Sequence, residues 1–462
     1  MTDRRRRRET ALGAPLQVWA GVECSHLTIG GRTVDQLELT GHDRRPADLD
    51  LIALLGASAV RYPVLWERVA PRGLANADWL QSDSRLERLR ELGVRPIVGL
   101  LHHGQGPRGM SLRHPYFAEA FASYALAVAR RYPWVTEYIP INEPLTTARF
   151  GGLYGWWSPY ARSDAVFADL LLTQLRAMRE AIRQIRTINS EAVLIVNEDV
   201  ARTFSTPPLA SEATFLNERR WLTWDLLFGR VTREHPMHHV LARTPHLVRA
   251  LADLADNPCP PDILGVDHYV TSDRFLDHRV ERYISERHDP LNSAFIDVEA
   301  SRVRGVPGRS VARAIRDTWR RYRTPLALTE ISLAGDARDQ VAWWNEAWDA
   351  AITARQQGVD LRAVTAWATF GATDWHCLMR RPDNIYAPGV FDASVDPPQP
   401  RPVAHAISAA AAASIAAAVS ARLASTGLAA PVYSGWWTSS DRFSLTVARG
   451  VAPANPESQA SP

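Results

Sequence analysis

The 462-residue chain has few cysteines and no strong excess of charge, and both shortages limit what it can be. Cys24, Cys259 and Cys377 are far apart, odd in number, and form neither a CxxC pair nor a zinc-ligand spacing. They predict buried free thiols in a reducing compartment, so we expect a cytoplasmic protein. The arginine run Arg4 to Arg8 more than accounts for the net charge of +3, and no basic patch with interleaved aromatics follows it. A nucleic-acid partner is therefore not expected.

Phosphate-binding loops and targeting segments are also missing. No GxGxxG or GxxxxGK(S/T) loop follows any apolar run, which argues against a nucleotide cofactor. Glu9 and Thr10, not an apolar segment, follow the arginine run, so no secretory signal is indicated. The Ala-rich stretch 403–423 is long enough to span a bilayer, but alanine is barely hydrophobic and the stretch carries His405 and Arg422. We expect a surface-packed helix there and no membrane partner.

Short apolar runs alternate with helical patterns along the chain, which is typical of a parallel sheet built from βα units. Eight such runs predict eight strands, and eight βα repeats match one closed barrel of the α/β class. We therefore predict a single (β/α)8 TIM barrel. The predicted strands are Val18–Glu23, Ala59–Pro63, Pro96–Leu101, Tyr138–Asn142, Val193–Asn197, Ile263–Asp267, Leu326–Glu330 and Val364–Thr369.

Apolar residues at helical spacing predict the helices between these strands. The long stretch between the fifth and sixth strands, 201–261, predicts a helical insertion. The predicted helices include Arg85–Leu92, Phe167–Ile188, Trp221–Phe228, His238–Leu251 and Val341–Gln356.

The composition of the two ends predicts three regions. Residues 1–15 are expected to be a disordered basic N-terminus, and residues 16–424 the barrel. Residues 425–462 lose helical periodicity and end in Pro, Ala and Ser, which predicts an irregular, partly disordered tail.

Two glutamates close two of the apolar runs. Glu143 follows Tyr138-Ile139-Pro140-Ile141-Asn142, and Glu330 follows Pro325-Leu326-Ala327-Leu328-Thr329. In a (β/α)8 barrel, residues at the C-terminal ends of the strands face one active site. Most glycosidases use two carboxylates on opposite sides of one pocket as their catalytic residues. The sequence therefore predicts an acid/base pair for glycoside cleavage.

Polar or aromatic residues close most of the other strands as well. Any one of them has an ordinary structural explanation, but buried charge is costly unless paired, so seven such strand ends together favour a functional site. The residues at these ends are Glu23, Arg61, His102, His103, Asn142, Glu143, Asp267, His268, Tyr269, Glu330, Trp367, Asp374 and Trp375.

This series resembles glycoside hydrolase family 1, the retaining β-glycosidases, from about Leu16 to Ser408. The resemblance rests on Val60-Arg61-Tyr62, Asn142-Glu143-Pro144, Thr329-Glu330 and the spacing from Trp367 to Asp374-Trp375. It implies that Glu143 is the acid/base and Glu330 the nucleophile. It also implies that Arg61 and Tyr269 contact the nucleophile, and that the sugar is bound by Glu23, His102, Asn142, Trp367, Asp374 and Trp375.

Several residues depart from the family pattern. Glu23 stands where the family has glutamine, and His103 where tryptophan is usual. Asp267-His268-Tyr269 and Ile331-Ser332 replace other residues, and Asp374 is one methylene shorter than the usual glutamate. These changes touch sugar recognition more than bond cleavage. The chain is also similar to bacterial glycosidase-like domains joined to dTDP-4-dehydrorhamnose-reductase-like domains.

The sequence therefore predicts a retaining O-glycoside hydrolase that acts on a small-molecule glycoside by double displacement, without metal or cofactor. Two alternatives remain open. The site substitutions also fit a non-catalytic sugar-binding or complex-forming module on a glycosidase scaffold. Alternatively, His102, His103, Asp267 and His268 supply ligand types that suit a metal at the barrel mouth.

Overall fold

Eight parallel strands close into a barrel in the computed structural model, which describes residues 14–283, 294–306 and 310–423. Each strand pairs with its neighbour in the chain, and the first pairs with the last to close the ring. The predicted (β/α)8 barrel is confirmed. The strands are β1 (Gln17–Gly21), β2 (Ala59–Pro63), β3 (Arg95–His102), β4 (Glu137–Asn142), β5 (Val193–Asp199), β6 (Ile263–Asp267), β7 (Leu326–Ile331) and β8 (Leu361–Ala366).

One side chain from each strand fills the barrel interior. These eight residues are almost fully buried and form one cluster, so the barrel centre is a packed core and not a channel. Polar residues therefore gather at the C-terminal ends of the strands, above this apolar layer. The layer consists of Trp19, Ala59, Ile97, Ile139, Ile195, Ile263, Ala327 and Ala363.

Helices surround the barrel. The longest, Asp164–Arg186, begins where the Ser163 hydroxyl accepts the Val166 N–H, and its buried stripe packs on Phe117–Arg131. The helices longer than five residues are Asp48–Leu54, Leu80–Glu91, Phe117–Arg131, Asp164–Arg186, Ala210–Arg219, Leu222–Leu227, Pro245–Asp256, Val311–Tyr322, Ala337–Gln356 and Pro402–Leu423. The shorter α-helices are Gln36–Leu39, Trp66–Val69, Pro144–Ala148 and His238–Leu241.

Several observed bounds differ from the predicted ones by a few residues, as at β1, which ends at Gly21 and not at Glu23. Two of the differences have a clear physical cause. The single helix His238–Leu251 is two helices, because the Thr244 hydroxyl caps a new helix at the Leu247 N–H and Pro245 starts it. Proline has no N–H to continue a preceding helix, but its fixed φ suits a first position. Strand β8 ends at Ala366 and not at Thr369, because Thr369 turns back and donates its N–H to the Gly21 carbonyl.

The segments after β1, β5, β6 and β8 contain small sheets that the sequence patterns did not predict. The three-stranded sheet Thr203–Ser205, Arg274–Asp277 and Ile296–Glu299 joins the insertion after β5 to the segment after β6. The others are two-stranded: His26–Ile29 with Arg32–Asp35, Ala372–Thr373 with Tyr386–Ala387, and Phe391–Asp392 with Gln399–Pro400.

The Ala-rich stretch forms the helix Pro402–Leu423, which packs beside β1 and on Ala337–Gln356. None of the helices in the described residues combines the length and apolar character that a membrane span requires. The predictions for residues 1–13 and 424–462 lie outside the described residues, so the three-region division of the chain stays a prediction.

Gly265 in β6 makes a close approach between strands possible. A Cβ there would come within 2.6 Å of the Asn197 Cβ and of the Thr329 hydroxyl oxygen, on the two neighbouring strands. We expect Gly265→Ala to lower the free energy of unfolding by about 1–3 kcal/mol, measured by urea denaturation. Gly335→Ala is the matched control, because its nearest neighbour would lie 3.6 Å away. Equal stability of both variants would contradict this account of the packing.

Candidate active site

Two glutamates and one aspartate from three strand ends meet at the mouth of the barrel. One carboxylate oxygen from each of Glu143, Asp267 and Glu330 lies within 4.8 Å of the other two. All three residues are buried, with at most 6% of their surface exposed. The parallel strands β4, β6 and β7 end at the same edge, so residues distant in sequence meet here.

Glu143 has an unusual backbone conformation. Its φ of 38° and ψ of 66° lie in the left-handed region, between the end of β4 and a short helix that Pro144 begins. This conformation costs a non-glycine residue about 1–2 kcal/mol. The sharp turn directs the side chain toward the strand ends, where the His103 ring nitrogen Nε2 lies 3.7 Å from its carboxylate.

Glu330 is held by two donors. The Arg61 guanidinium donates to Oε1 at 2.8 Å, and the Tyr269 hydroxyl donates to Oε2. Arg61 also donates to the Thr329 carbonyl at 2.7 Å and to the Asn142 side-chain oxygen at 2.6 Å. Both carboxylate oxygens of Glu330 are therefore fixed in place by residues from β2 and from the segment after β6.

The two glutamates differ in their electrostatic surroundings. Burial raises the pKa of both carboxyl groups above the ordinary glutamate value. At Glu330 the Arg61 charge and the Tyr269 hydrogen bond oppose this rise, whereas at Glu143 the charges of Glu330 and Asp267 add to it. Glu330 is therefore the one of the two that ionises more readily, and Glu143 is the one that keeps its proton.

A hydrogen-bonded network supports these carboxylates from below. Asn197 donates to the Asn142 oxygen at 2.7 Å and to Asp267 at 2.6 Å, and the Thr329 hydroxyl donates to the other Asp267 oxygen at 2.6 Å. Asn197 was not among the predicted site residues, and Asp267 was predicted at this edge without a role in holding Asn197 and Thr329. The position of Asn197 at the end of the predicted fifth strand could have indicated that it belongs to the site.

His102 is oriented by a thiol and an aromatic ring. The Cys24 sulfur lies 3.3 Å from its Nδ1 atom, and the Trp367 ring stacks on it at 5.6 Å between centroids. Burial raises the pKa of Cys24 and lowers that of His102, so both groups stay neutral. One hydrogen bond between these two neutral groups fixes the orientation of the imidazole ring. Trp367 also packs under the Arg61 guanidinium, 4.1 Å from its ring centroid.

The segment after β8 contributes the remaining predicted sugar contacts. Asp374 has a φ of 61° and accepts the Ile385 N–H at 2.8 Å through one carboxylate oxygen. The Trp375 ring lies 6.0 Å from the His103 ring and 6.3 Å from that of Trp157, and its buried Nε1 has no hydrogen-bond partner among the described residues. Trp375 thus contributes an unused donor within an aromatic cluster.

The alternative metal site is not formed. Within the described ranges, His102, His103, Asp267 and His268 do not gather into a group of close ligand atoms. His103 bonds the Thr147 hydroxyl at 2.8 Å, and the His268 ring packs near Trp343. The cluster of Glu143, Asp267 and Glu330 suits a cation poorly, because protein donors already occupy oxygens of two of its members.

Comparison with known proteins assigns the chain to a family. A model of glycosyl hydrolase family 1 matches residues 26–292, more than half of the chain. The chain belongs to glycosyl hydrolase family 1. The family 1 match includes Arg61, His102, Glu143 and Tyr269 but ends before Glu330, so the position of Glu330 is known from the geometry alone. The similarity to proteins joined to a reductase-like domain stays a prediction.

Individual relatives support the family 1 assignment. Beta-glucosidase A of Thermotoga maritima is 26% identical over 182 residues, which cover 38% of this chain and 41% of that protein. Klotho of Homo sapiens is 34% identical over 129 residues, which cover 25% of this chain and 12% of that protein. The alignments therefore span less than half the length of these relatives.

Solved structures support the fold. Beta-glucosidase from Thermotoga maritima in complex with azafagomine has a TM-score of 0.67 and 16% identity, over 87% of this chain and 98% of that one. Psychrophilic beta-glucosidase BglU from Micrococcus antarcticus has a TM-score of 0.67 and 17% identity, over 86% and 97%. The barrel fold of these structures thus extends over nearly all of the described residues.

Glu23 gives this family 1 site a further buried carboxyl group, in addition to Glu143, Asp267 and Glu330. It is 3% exposed and accepts the Ser25 N–H at 2.8 Å. Burial raises its pKa from 4.5 to about 7, against the hydrogen bonds from Ser25. A carboxyl group whose pKa is higher in the folded than in the unfolded state contributes its full stability at pH values below the unfolded pKa. That stability is lost as the pH rises through the folded value.

Glu23→Gln should therefore flatten the pH dependence of stability. The free energy of unfolding of the parent should fall as the pH rises from about 5 to about 8. In the variant this fall should be about 2–3 kcal/mol smaller. Urea denaturation at both pH values measures this difference. Glu191→Gln, on the exposed surface, is the control and should behave like the parent. Parallel curves for Glu23→Gln and the parent would show that Glu23 titrates normally.

Proposed function

We propose that this protein is a retaining β-glycosidase that cleaves a small glycoside by double displacement. The observation that carries the proposal is the opposition of Glu143 and Glu330, with carboxylate oxygens within 4.8 Å and unequal electrostatic surroundings. Retaining glycosidases hold their carboxyl groups about 5–5.5 Å apart, whereas inverting enzymes need about 6.5–9.5 Å to admit a water molecule. The short separation supports retention.

In the first step, a Glu330 carboxylate oxygen attacks the anomeric carbon while the bond to the leaving oxygen breaks. Glu143 gives its proton to that oxygen, so the aglycone departs as a neutral alcohol. Arg61 and Tyr269 hold the attacking carboxylate in its ionised form and fixed orientation. The products of this step are a glycosyl ester on Glu330 and an ionised Glu143.

In the second step, Glu143 takes a proton from water, and the hydroxyl oxygen attacks the anomeric carbon of the ester. Glu330 leaves as a carboxylate, and both glutamates return to their starting protonation states. Two inversions at one carbon give net retention. The loss of charge at Glu330 in the ester removes one cause of the high Glu143 pKa, so the same residue becomes a better base.

We propose that the sugar lies between the strand ends and the aromatic cluster. Each of the groups proposed to contact the sugar has an unused hydrogen-bond donor or acceptor, or an aromatic face, at the barrel mouth. They are Glu23, His102, Asn142, Trp367, Asp374 and Trp375. We also propose the cytoplasm as the compartment, because Cys24, Cys259 and Cys377 are buried free thiols.

A panel of para-nitrophenyl β-glycosides tests the activity, beginning with the β-glucoside because several relatives are named beta-glucosidases. We expect release of nitrophenolate from at least one sugar, and proton NMR should show the β-anomer as the first sugar product. First appearance of the α-anomer would exclude double displacement. Sugar binding without turnover of any glycoside would instead support the non-catalytic module.

A further inference from the structure

The segment that follows Glu143 begins at the residue proposed to protonate the leaving oxygen. An acid that protonates the leaving oxygen must be within hydrogen-bond reach of it, so the aglycone extends past Glu143. The chain continues through Pro144–Ala148 and the π-helical turn Arg149–Leu153 to Tyr154. The segment carries an arginine close enough to Glu143 for their charges to interact.

Arg149 is a cation without a close anionic partner. Its Nη2 donates to the Thr146 hydroxyl at 3.1 Å, but its Nε is buried and makes no hydrogen bond within the described residues. In the same ranges no carboxylate oxygen lies within the 4.0 Å of an ion pair. A buried guanidinium N–H with no acceptor costs free energy unless a ligand or water supplies one.

Arg219, the last residue of the helix Ala210–Arg219, contacts Tyr154 at the end of this segment. Its Nη2 donates to the Tyr154 hydroxyl at 2.8 Å, and no described carboxylate is close enough to pair with it. Other arginines of this wall are paired: Arg202 and Arg220 both contact Asp317, and Arg274 contacts Asp297. Among the described residues, Arg149 and Arg219 make no such ion pair, unlike these three arginines.

Glu198 and Asp199 act on the charge of Arg149 from a distance and raise its pKa, but neither forms an ion pair with it. Burial raises the pKa of Glu198 to about 7, and its Oε1 already accepts from the Leu145 N–H and the Thr223 hydroxyl. Burial also raises the pKa of Asp199. Glu143 is the group that keeps its proton. An anionic ligand would give the Arg149 guanidinium the ion pair that these carboxyl groups do not make.

We propose that the substrate's leaving group carries an acidic group, a carboxylate or a phosphate, which Arg149 binds together with Arg219. Guanidinium groups match both anions, since their N–H groups form paired hydrogen bonds with two oxygens. The half-buried rings of Tyr154 and Trp156 lie 4.8 Å apart, with the Arg219 guanidinium over the first and the Arg380 guanidinium over the second. This inference rests on the proposed function, because only a glycosidase reaction gives the Glu143 side a leaving group.

Calorimetry with leaving-group analogues tests the site without turnover. The probes are para-hydroxybenzoate, its uncharged methyl ester, and phenyl phosphate. We expect one of the two anions to bind about 10–100-fold more tightly than the ester, the range for hydrogen bonds to a charged group. The tighter anion identifies the acidic group. Equal binding of anions and ester, or no binding of either anion, would overturn the proposal.

Variants locate the binding site. Arg149→Gln should remove the preference for the anion, Arg149→Lys should keep part of it, and Arg219→Gln should reduce it. Arg90→Gln, at a side chain 59% exposed on the helix Leu80–Glu91, is the control and should keep it. An unchanged preference in Arg149→Gln would overturn the proposal. Thermal unfolding of each variant shows whether it is folded. If Arg149→Gln does not fold, Arg149→Lys still tests the preference for the anion.

Kinetics separate this inference from the proposed function. Two aryl β-glucosides are compared, one with a para carboxylate and one with its methyl ester, and we expect about 10-fold higher kcat/KM for the acid in the parent but not in Arg149→Gln. Hydrolysis of both at equal rates would overturn the anion site and leave the glycosidase intact. Selective anion binding without any hydrolysis would leave the anion site and overturn the glycosidase.

Discussion

Replacing Glu330 by glutamine is expected to lower the turnover of an aryl β-glycoside by about 10⁴-fold or more, the scale seen when an enzyme loses its nucleophile. The amide has nearly the same shape as the carboxylate but cannot attack the anomeric carbon. It also deprives Arg61 and Tyr269 of the charge they now contact at Oε1 and Oε2. Steady-state kcat with a nitrophenyl glycoside measures the loss.

The loss has to be separated from a loss of fold. Removing one partner of a buried ion pair costs about 3–5 kcal/mol when the other charge is left alone. Arg61 keeps its hydrogen bonds to Asn142 and to the Thr329 carbonyl, so we expect the variant to fold with a lower melting temperature. Glu191→Gln, an exposed change of the same chemistry, should keep full activity. Undiminished turnover in folded Glu330→Gln would exclude it as the nucleophile.

Glu143→Gln is expected to lower turnover by about 10²–10⁴-fold for a glycoside with a poor leaving group, which is the contribution of general acid catalysis. With dinitrophenolate, a leaving group that needs no proton, formation of the glycosyl ester should be much less affected. The second step then becomes slow because no base activates water. Sodium azide should restore turnover by attacking without deprotonation, and the product should be a β-glycosyl azide.

The dependence on the leaving group distinguishes this role from a structural one. Glu119→Gln, exposed on the helix Phe117–Arg131, is the control. Its turnover relative to the parent should stay the same with every leaving group and with azide. A variant at Glu143 that loses activity equally with every leaving group, and that azide does not help, would assign the residue to folding or binding. The distinction matters because Glu143 also occupies a left-handed backbone position, at φ 38°.

Periodicity predicted the barrel well because its strands are buried on both faces. In Ile263–Asp267 the first four residues carry no polar side chain and the polar Asp267 ends the run, so the observed bounds of β6 equal the predicted ones. The strand ends also predicted which residues would converge, since parallel strands of one barrel share a C-terminal edge. Arg61 and Glu330 lie 269 residues apart and form a direct ion pair.

Other features depend on contacts that periodicity does not record. The network of Asn197, Asp267 and Thr329 needs the register between β5, β6 and β7, which local pattern leaves open. The thiol of Cys24 is recognisable as a partner of His102 only once β1 and β3 are in place. In contrast, the division of the helix at Thr244 and Pro245 was readable, because a threonine–proline pair is a helix start.

Incubation with an aryl glycoside that carries fluorine beside the anomeric carbon tests the central claim most directly. The fluorine slows the second step, so a covalent intermediate of a retaining enzyme accumulates. Mass spectrometry of the intact protein should show the added fluoro-sugar, and peptide mapping should locate it on Glu330. A protein that hydrolyses glycosides yet acquires no label, or acquires it on another residue, would contradict the account.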